Sequence, residues 1–562
     1  MSPHIRSFLI IGSENFEGVY PAFNDDEITY QARIKEAVEG NLNIGNPYIK
    51  EHMSDPFIMP PVGEWIIAIG AWITNTSVPF MTSASDFVFG FVDFVLVYAL
   101  FLMVTRKRKW VALFYTVLFI SFSLSTFGRP ISPQLNSIFL YLGIIATARI
   151  YFLDGVSKKS WNRTAGLIAG ITCFISPYFF TALLVFYFAL FLLKGVFEKS
   201  IEPLKRNIPS FLITFIPFAL LYAFFQIRAA GDPSYSETVL RYGLFQSHLP
   251  GSYTNVAFGV LTLGVIFIAY KFLTQRAFIF GLSVVSSIWI LNLQNIITGK
   301  SLQFSSHYLF TTILFVLMAL AVIHGALLEQ KGKTSNRKTM AIIGIIFVVS
   351  LVAYNQRNEF MHIANMPYTR EELIEEQRKM KVFEWLNENT EPNSVVYSLG
   401  DNYDFLIPIY TENKVYYNFY AALYPASNTE TEERWLIQNM FVPEIDSNTI
   451  RDRQREFWGN RFIDVYQSAE NRKKIVAFLT RTKYAPSEMI DESFIDYMHT
   501  RWEGIKEQPH EELFGRYQID YILLSKEYLY FNDTKKRLDE TKNITLQTTM
   551  NGELIYSVVD PL

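Results

Sequence analysis

Between Trp110 and Gln330 the chain carries six carboxylates, while the other 47 of its 53 lie outside that stretch. A run this poor in acids cannot be the surface of a soluble domain, and it divides into apolar segments of membrane-spanning length. A spanning helix needs about 20 mostly apolar residues. Ten segments qualify or come close: 86–104, 110–127, 132–152, 163–176, 178–194, 208–226, 253–271, 277–294, 307–328 and 339–355. The fourth and fifth form a nearly continuous run broken at Ser176-Pro177, which predicts a tight hairpin of two short helices, since proline interrupts a longer one.

The loops confirm the count. Alternate loops carry seventeen lysines and arginines against four, Arg129, Arg228, Arg241 and Lys300, in the others. Positive charge stays on the cytoplasmic side. The expectation is therefore a multi-pass protein of the cytoplasmic (inner) membrane with residues 1–85 and 356–562 outside the cytoplasm. Three blocks follow: an outer N-terminal segment (1–85), a transmembrane module (86–355) and a soluble domain (356–562). Only 18% of the residues are charged and the net charge is −3, which gives no reason to expect a nucleic-acid partner. The lone cysteine, Cys173, excludes an internal disulfide. Phe8 to Gly12 is an apolar stub too short to span; it is either held at the membrane surface or follows a helix absent from this chain.

The outer segment has its own signals. Asp26 to Gly40 has helical spacing and ends on a glycine, a C-cap. Asp25 and Asp26 sit where carboxylates suit the helix dipole, so capping alone accounts for them equally well. Pro60-Pro61 then precedes an apolar stretch with Trp65 and Trp72, the pattern of a helix lying in the membrane interface.

Asp26-Glu27-x-x-Tyr30, followed some 30 residues later by Pro60-Pro61-Val62-x-x-Trp65, resembles the first outer loop of the GT-C superfamily, in particular the aminoarabinose transferases and protein mannosyltransferases. Met59 stands where those families carry a lysine. The resemblance implies an α-helical polytopic membrane protein with a GT-C-like module of about ten spans, followed by a soluble α/β domain. It also implies an inverting glycosyltransferase that takes a sugar from a polyprenyl-phosphate donor.

Such a transfer needs a base or orienting carboxylate for the acceptor and cationic groups for the departing phosphate. Asp26 is the candidate base. Asp25 and Glu27 are supporting acids, since adjacent carboxylates raise one another's pKa. No cofactor is required; a divalent metal at Asp25 and Asp26 is the alternative, through hard oxygen ligands. Candidate phosphate or cavity groups are Arg129, Arg241 (with His248 in the same loop), Lys300, Gln303, His307 and Tyr308. Asn292, Gln294 and Asn295 belong to the same polar interruption and, at membrane depth, are expected to line a wet cavity. The partners are then the polyprenyl-phosphate sugar, the bilayer, and a glycan, lipid or protein acceptor.

In the last block, strands are expected at 394–398, 414–417 and 519–524, with a hairpin at Asn551-Gly552. Helical patterns fall at 370–389, 404–410, 430–441 and 447–482, an α/β alternation without a glycine-rich phosphate loop or zinc spacing. Rival readings are a lipid or glycan transporter or flippase, a glycan polymerase or ligase, and a non-catalytic protein of the same fold. A transporter predicts charged groups within spans, and only Asp93 and His324 fit.

Overall fold

A computed structural model describes residues 3–22, 25–123, 129–152, 158–300, 307–329 and 368–559. The expected span 339–355 lies outside the described residues. The chain forms two compact units. Of the described residues, one unit holds 83–225 and 246–329, and the other holds 4–82, 226–245 and 368–559.

The first unit is a helical bundle. Seven described helices are long and apolar enough to cross a membrane: Val78–Val104, Pro130–Phe152, Pro177–Glu198, Glu202–Ala230, Tyr253–Phe272, Gln275–Thr298 and Tyr308–Glu329. The stretch expected at 110–127 is the shorter helix Lys109–Phe122, and that at 163–176 is the 15-residue helix Lys158–Thr172. The hairpin at Ser176-Pro177 is present. Ser176 is extended and Pro177 opens the next helix, at a position where its missing N–H costs nothing. That helix has 22 residues and is not the short one expected. The apolar pattern runs past Leu193 through Val196 and Phe197, and the intervening Lys194 does not end it. Glycines set how closely helices approach. A Cβ at Gly166 would lie 2.2 Å from the Phe211 carbonyl oxygen, and one at Gly170 2.9 Å from Phe218. These two glycines four residues apart let Lys158–Thr172 lie against Glu202–Ala230, the small-residue packing that membrane helices favour.

The second unit joins the outer N-terminal segment to the C-terminal block. Its sheet has five strands, β1 (Val395–Leu399), β2 (Lys414–Val415), β3 (Tyr521–Leu524), β4 (Ile544–Met550) and β5 (Glu553–Val558), in the order β2-β1-β3-β5-β4. β1 is parallel to β2 and β3, and β5 is antiparallel to β3 and β4. Asn551 and Gly552 both have positive φ, 52° and 91°, the two-residue turn whose twist matches its strands. β1 and β3 are near-continuous apolar runs, and nearly every residue of both is buried, as central strands of a covered sheet are. The predicted helix 370–389 is two helices, Arg370–Gln377 and Met380–Asn389, the first opened by a Thr369/Glu372 capping box.

Val19, Ala32, Tyr48 and Ile49 are buried in the same core as Val396, Tyr397, Ile522 and Leu523. Backbone bonds tie the two parts as well. Val415 N–H donates to Tyr48 O at 3.0 Å, and the Gln377 amide oxygen accepts from the backbone of Glu17 and Val19. The outer segment is thus an integral layer of this unit. The helix Val62–Thr74 buries Gly63, Glu64, Ile67, Ala68 and Ala71 and leaves Ile69, Trp72 and Ile73 exposed, Trp72 by 75%. One apolar face is covered and the other is bare, the form of an interfacial helix.

Candidate active site

In the second unit, the helix Asp25–Val38 carries the acidic motif at its first turn. Three of its charged side chains are buried, and each is paired within the unit. Glu27 meets His4 Nε2 at 2.8 Å and accepts from Gln31 Nε2 at 3.4 Å. Arg33 donates from Nε to Glu64 Oε1 at 2.5 Å and from Nη2 to the Met59 carbonyl at 3.1 Å. Glu36 pairs with Lys414, both 2% exposed. Burial alone would lower the affinity of Arg33 for its proton, but Glu64 and Tyr424 outweigh it and hold the guanidinium charged. Asp26 differs: it is only partly buried.

The Pro60-Pro61 element starts the helix Val62–Thr74 and packs it beside this acidic helix. Trp65 Nε1 donates to Leu42 O at 3.1 Å, which fixes the loop between the two helices. Met59, in the place of the family's lysine, contributes its backbone carbonyl to Arg33. Tyr30 is half-buried one turn after Asp26.

Arg241 belongs to this unit and corrects the expectation of a phosphate fork. It is fully buried. Its Nε donates to Ala422 O at 2.6 Å and Nη1 to Asn428 Oδ1 at 2.7 Å. Nη2 donates to Thr238 Oγ1, Tyr424 O and Ala426 O at 3.1, 3.2 and 2.6 Å. Burial lowers its pKa to about 10, and its donors hold the chain at 422–428 in place. It is an anchor between two loops.

The first unit holds the remaining candidates. Arg129 Nε donates to Ser132 O at 2.8 Å. Gln134 is buried and donates to Asp86 Oδ1 at 2.6 Å, and Asp93 accepts from Ser137 Oγ at 3.1 Å. Asp86 was not singled out from the sequence. The available signal was the cost of a carboxylate within an apolar run.

His307 is exposed and stacks on Tyr178, with ring centroids 4.8 Å apart and planes 10° from parallel. Tyr308 is buried beside it, its hydroxyl 2.9 Å from Thr181 Oγ1 and its ring edge-on to Tyr178. Lys300 is exposed, and its ammonium has no partner among the described residues. Its backbone bridges to Gln246.

Asn292 and Asn295, expected to line a wet cavity, are buried among protein groups. Asn255 donates to Asn292 Oδ1 at 2.9 Å, Asn295 donates to Leu249 O, and His248 Nδ1 lies 3.0 Å from Ile296 O. The last two fasten the loop 246–251 to the end of Gln275–Thr298, and the first joins that helix to Tyr253–Ala269. Gln303 lies outside the described residues, and of Asp25 only the backbone is described. Among the described residues no three of His, Cys, Asp and Glu converge as a metal set.

The structure therefore places Asp26, Glu27, Tyr30, Pro60, Pro61, Trp65 and Arg241 in one unit and Arg129, Lys300, His307 and Tyr308 in the other. Two solved structures are similar to this chain. ArnT from Cupriavidus metallidurans in the apo state is 11% identical with a TM-score of 0.44, covering 99% of this chain and 97% of that one. ArnT from the same organism bound to undecaprenyl phosphate is 12% identical with a TM-score of 0.45 and the same coverage. No protein-family model matches the chain, and no curated protein matches it in sequence.

Proposed function

We infer that this chain is an integral membrane glycosyltransferase of the GT-C type. It transfers a sugar from a polyprenyl-phosphate donor, with inversion, to a glycan, lipid or protein acceptor outside the cytoplasm. The observation that carries this reading is the state of Asp26. Asp26, the carboxylate the glycosyltransferase-like motif points to, is partly exposed at the first turn of its helix, whereas Glu27 and Glu36 are buried. Asp26 takes the proton of the acceptor hydroxyl. The oxygen attacks the anomeric carbon, and the bond to the donor phosphate breaks, leaving polyprenyl phosphate. Within the helical bundle, Arg129, Lys300 and His307 are the groups we propose for binding a polyprenyl phosphate, with Tyr178 and Tyr308 holding His307. Glu27, tied to His4, fixes the first turn of the helix. The charge bias of the loops puts 1–85 and 356–562 on the extracytoplasmic side. No cofactor is needed in this scheme; a divalent ion at Asp25 and Asp26 is the alternative that a chelator tests.

The deciding experiment measures sugar transfer from a labelled polyprenyl-phosphate sugar by the reconstituted protein. Asp26→Asn should lower the rate by about 10²–10⁴-fold, the usual cost of removing a general base, at unchanged thermal stability. Asp25→Asn should stay near wild type, because asparagine caps a helix as well as aspartate. Transfer that survives in Asp26→Asn overturns the assignment.

A further inference from the structure

The helix Ile463–Thr480 in the second unit leaves the body of its domain. From Asn471 to Thr480 every side chain except Ala477 is exposed. Val465, Arg472, Ile475, Val476 and Leu479 fall at helical spacing along one stripe, with Phe478 beside it. Phe478 is 82% exposed and Leu479 73%. The opposite face is the covered one: Glu470 there accepts from Ser487 Oγ at 2.6 Å, bonds the Tyr484 hydroxyl, and pairs with Lys473 at 3.1 Å. Four further cations, Arg472, Lys474, Arg481 and Lys483, surround the tip, and no acid occurs between Glu470 and Glu488. None of the four has a carboxylate partner among the described residues.

A bare apolar stripe of this kind is rarely left to water. In a chain of net charge −3, a tip this basic selects for a negative partner. A second copy would bring the same cations face to face in a two-fold contact. An anionic lipid surface offers apolar depth for Phe478 and Leu479 together with headgroup charge for the cations around them, and the same chain already carries bilayer-spanning helices.

We propose that the tip of this helix, Arg472 to Lys483, is a membrane-surface anchor that docks on a bilayer containing anionic lipid. The anchor stands apart from sugar transfer and holds whether or not the function above does. It is tested with the full chain in vesicles, with Cys173 replaced by serine and a nitroxide attached at Thr480→Cys, a position that leaves Phe478 and Leu479 intact. In vesicles rich in phosphatidylglycerol the label should be more accessible to oxygen than to an aqueous nickel complex. In pure phosphatidylcholine, or after Phe478→Ser, that preference should reverse. Each cation changed to glutamine should lower the docked-to-free ratio about fivefold. A label at the exposed Leu529 should read as aqueous throughout, the control for a surface position outside the tip. An aqueous signature at position 480 in anionic vesicles overturns the anchor. So does dipolar broadening that grows with protein density, which would make the partner a second copy.

Discussion

The two units answer the same problem, a polar group removed from water, in different ways. In the unit that joins 4–82 to 368–559, buried charges include pairs of opposite sign, Arg33 with Glu64 and Lys414 with Glu36, while Arg241 is held by carbonyls, an amide oxygen and a hydroxyl. In the helical bundle buried polar groups meet neutral partners: Asp86 with Gln134, Asp93 with Ser137, Asn255 with Asn292, Tyr308 with Thr181. Taking ions out of water is expensive, and a pair recovers the cost only with good geometry and further hydrogen bonds. A domain surrounded by water folds with its ions already hydrated nearby and can assemble such pairs. A helix that inserts into lipid carries its polar groups through an apolar medium first, which favours amides, hydroxyls and few charges.

The comparison is broken most severely at Asp26, whose replacement by asparagine should cost the most, in rate and not in stability. Next is the Arg33–Glu64 ion pair, whose arginine lies on the same helix. Arg33→Met leaves Glu64 buried without its partner, and single removals of this kind cost about 3–5 kcal/mol. Chemical denaturation of the purified chain should show that loss, and the double change Arg33→Met with Glu64→Leu should recover most of it. If the single change is neutral, the pair is not a closed unit.

In the bundle, Lys300→Gln should raise the half-saturating donor concentration about tenfold, the scale of one charge-assisted hydrogen bond to phosphate. His307→Gln should act in the same direction. An unchanged donor dependence in both variants would remove the bundle from the donor site.

A smaller effect sits at His52, which lies 2.6 Å from Asp55 and 3.0 Å from Glu430. Burial works to lower its pKa, but the two carboxylates outweigh burial and raise it to about 9. Burial likewise works to raise Glu430, and His52 and Arg434 overcome this to bring it down to about 2. For His52 the folded value is the higher one, so its contribution is complete below about pH 6.5. It fades as pH rises through about 9. Glu430 has the lower folded value, so its contribution is present above about pH 4.5. That contribution is lost as pH falls toward about 2. Thermal melting between neutral pH and pH 10 should therefore drop more for the wild type than for His52→Gln; parallel curves would mean the bridge does not form.

The smallest change is expected at Asp93→Asn. The amide oxygen still accepts from Ser137, so stability and transfer should stay within about 1 kcal/mol of wild type. Loss of function at this position alone would favour the transporter reading, in which an acid within a span carries the work.

Much of this was readable along the chain, for reasons that are local. Apolar length and alternating loop charge place the helices, because insertion acts on each segment in turn. Ser176-Pro177 and Asn551-Gly552 mark their turns, because proline and left-handed backbone restrict a few bonds. The Asp25–Val38 helix announces itself by its glycine end and acidic start. The helix Pro177–Glu198 runs past Lys194, whose long stem can lie along an apolar helix end, so a lone charge does not mark where a span stops.

What tertiary structure alone decided is which polar residues are accessible. Asp26 and Glu27 are neighbours of the same chemistry, yet one is partly exposed and the other is enclosed with His4, 23 residues away. Arg241 and Lys300 read as equivalent loop cations, but one is clamped by carbonyls at 422–426 and the other is exposed. A residue type states what a side chain can bond. Which partner comes within 3 Å, and so whether any bonding capacity remains for a substrate, depends on segments hundreds of residues apart being folded onto one another.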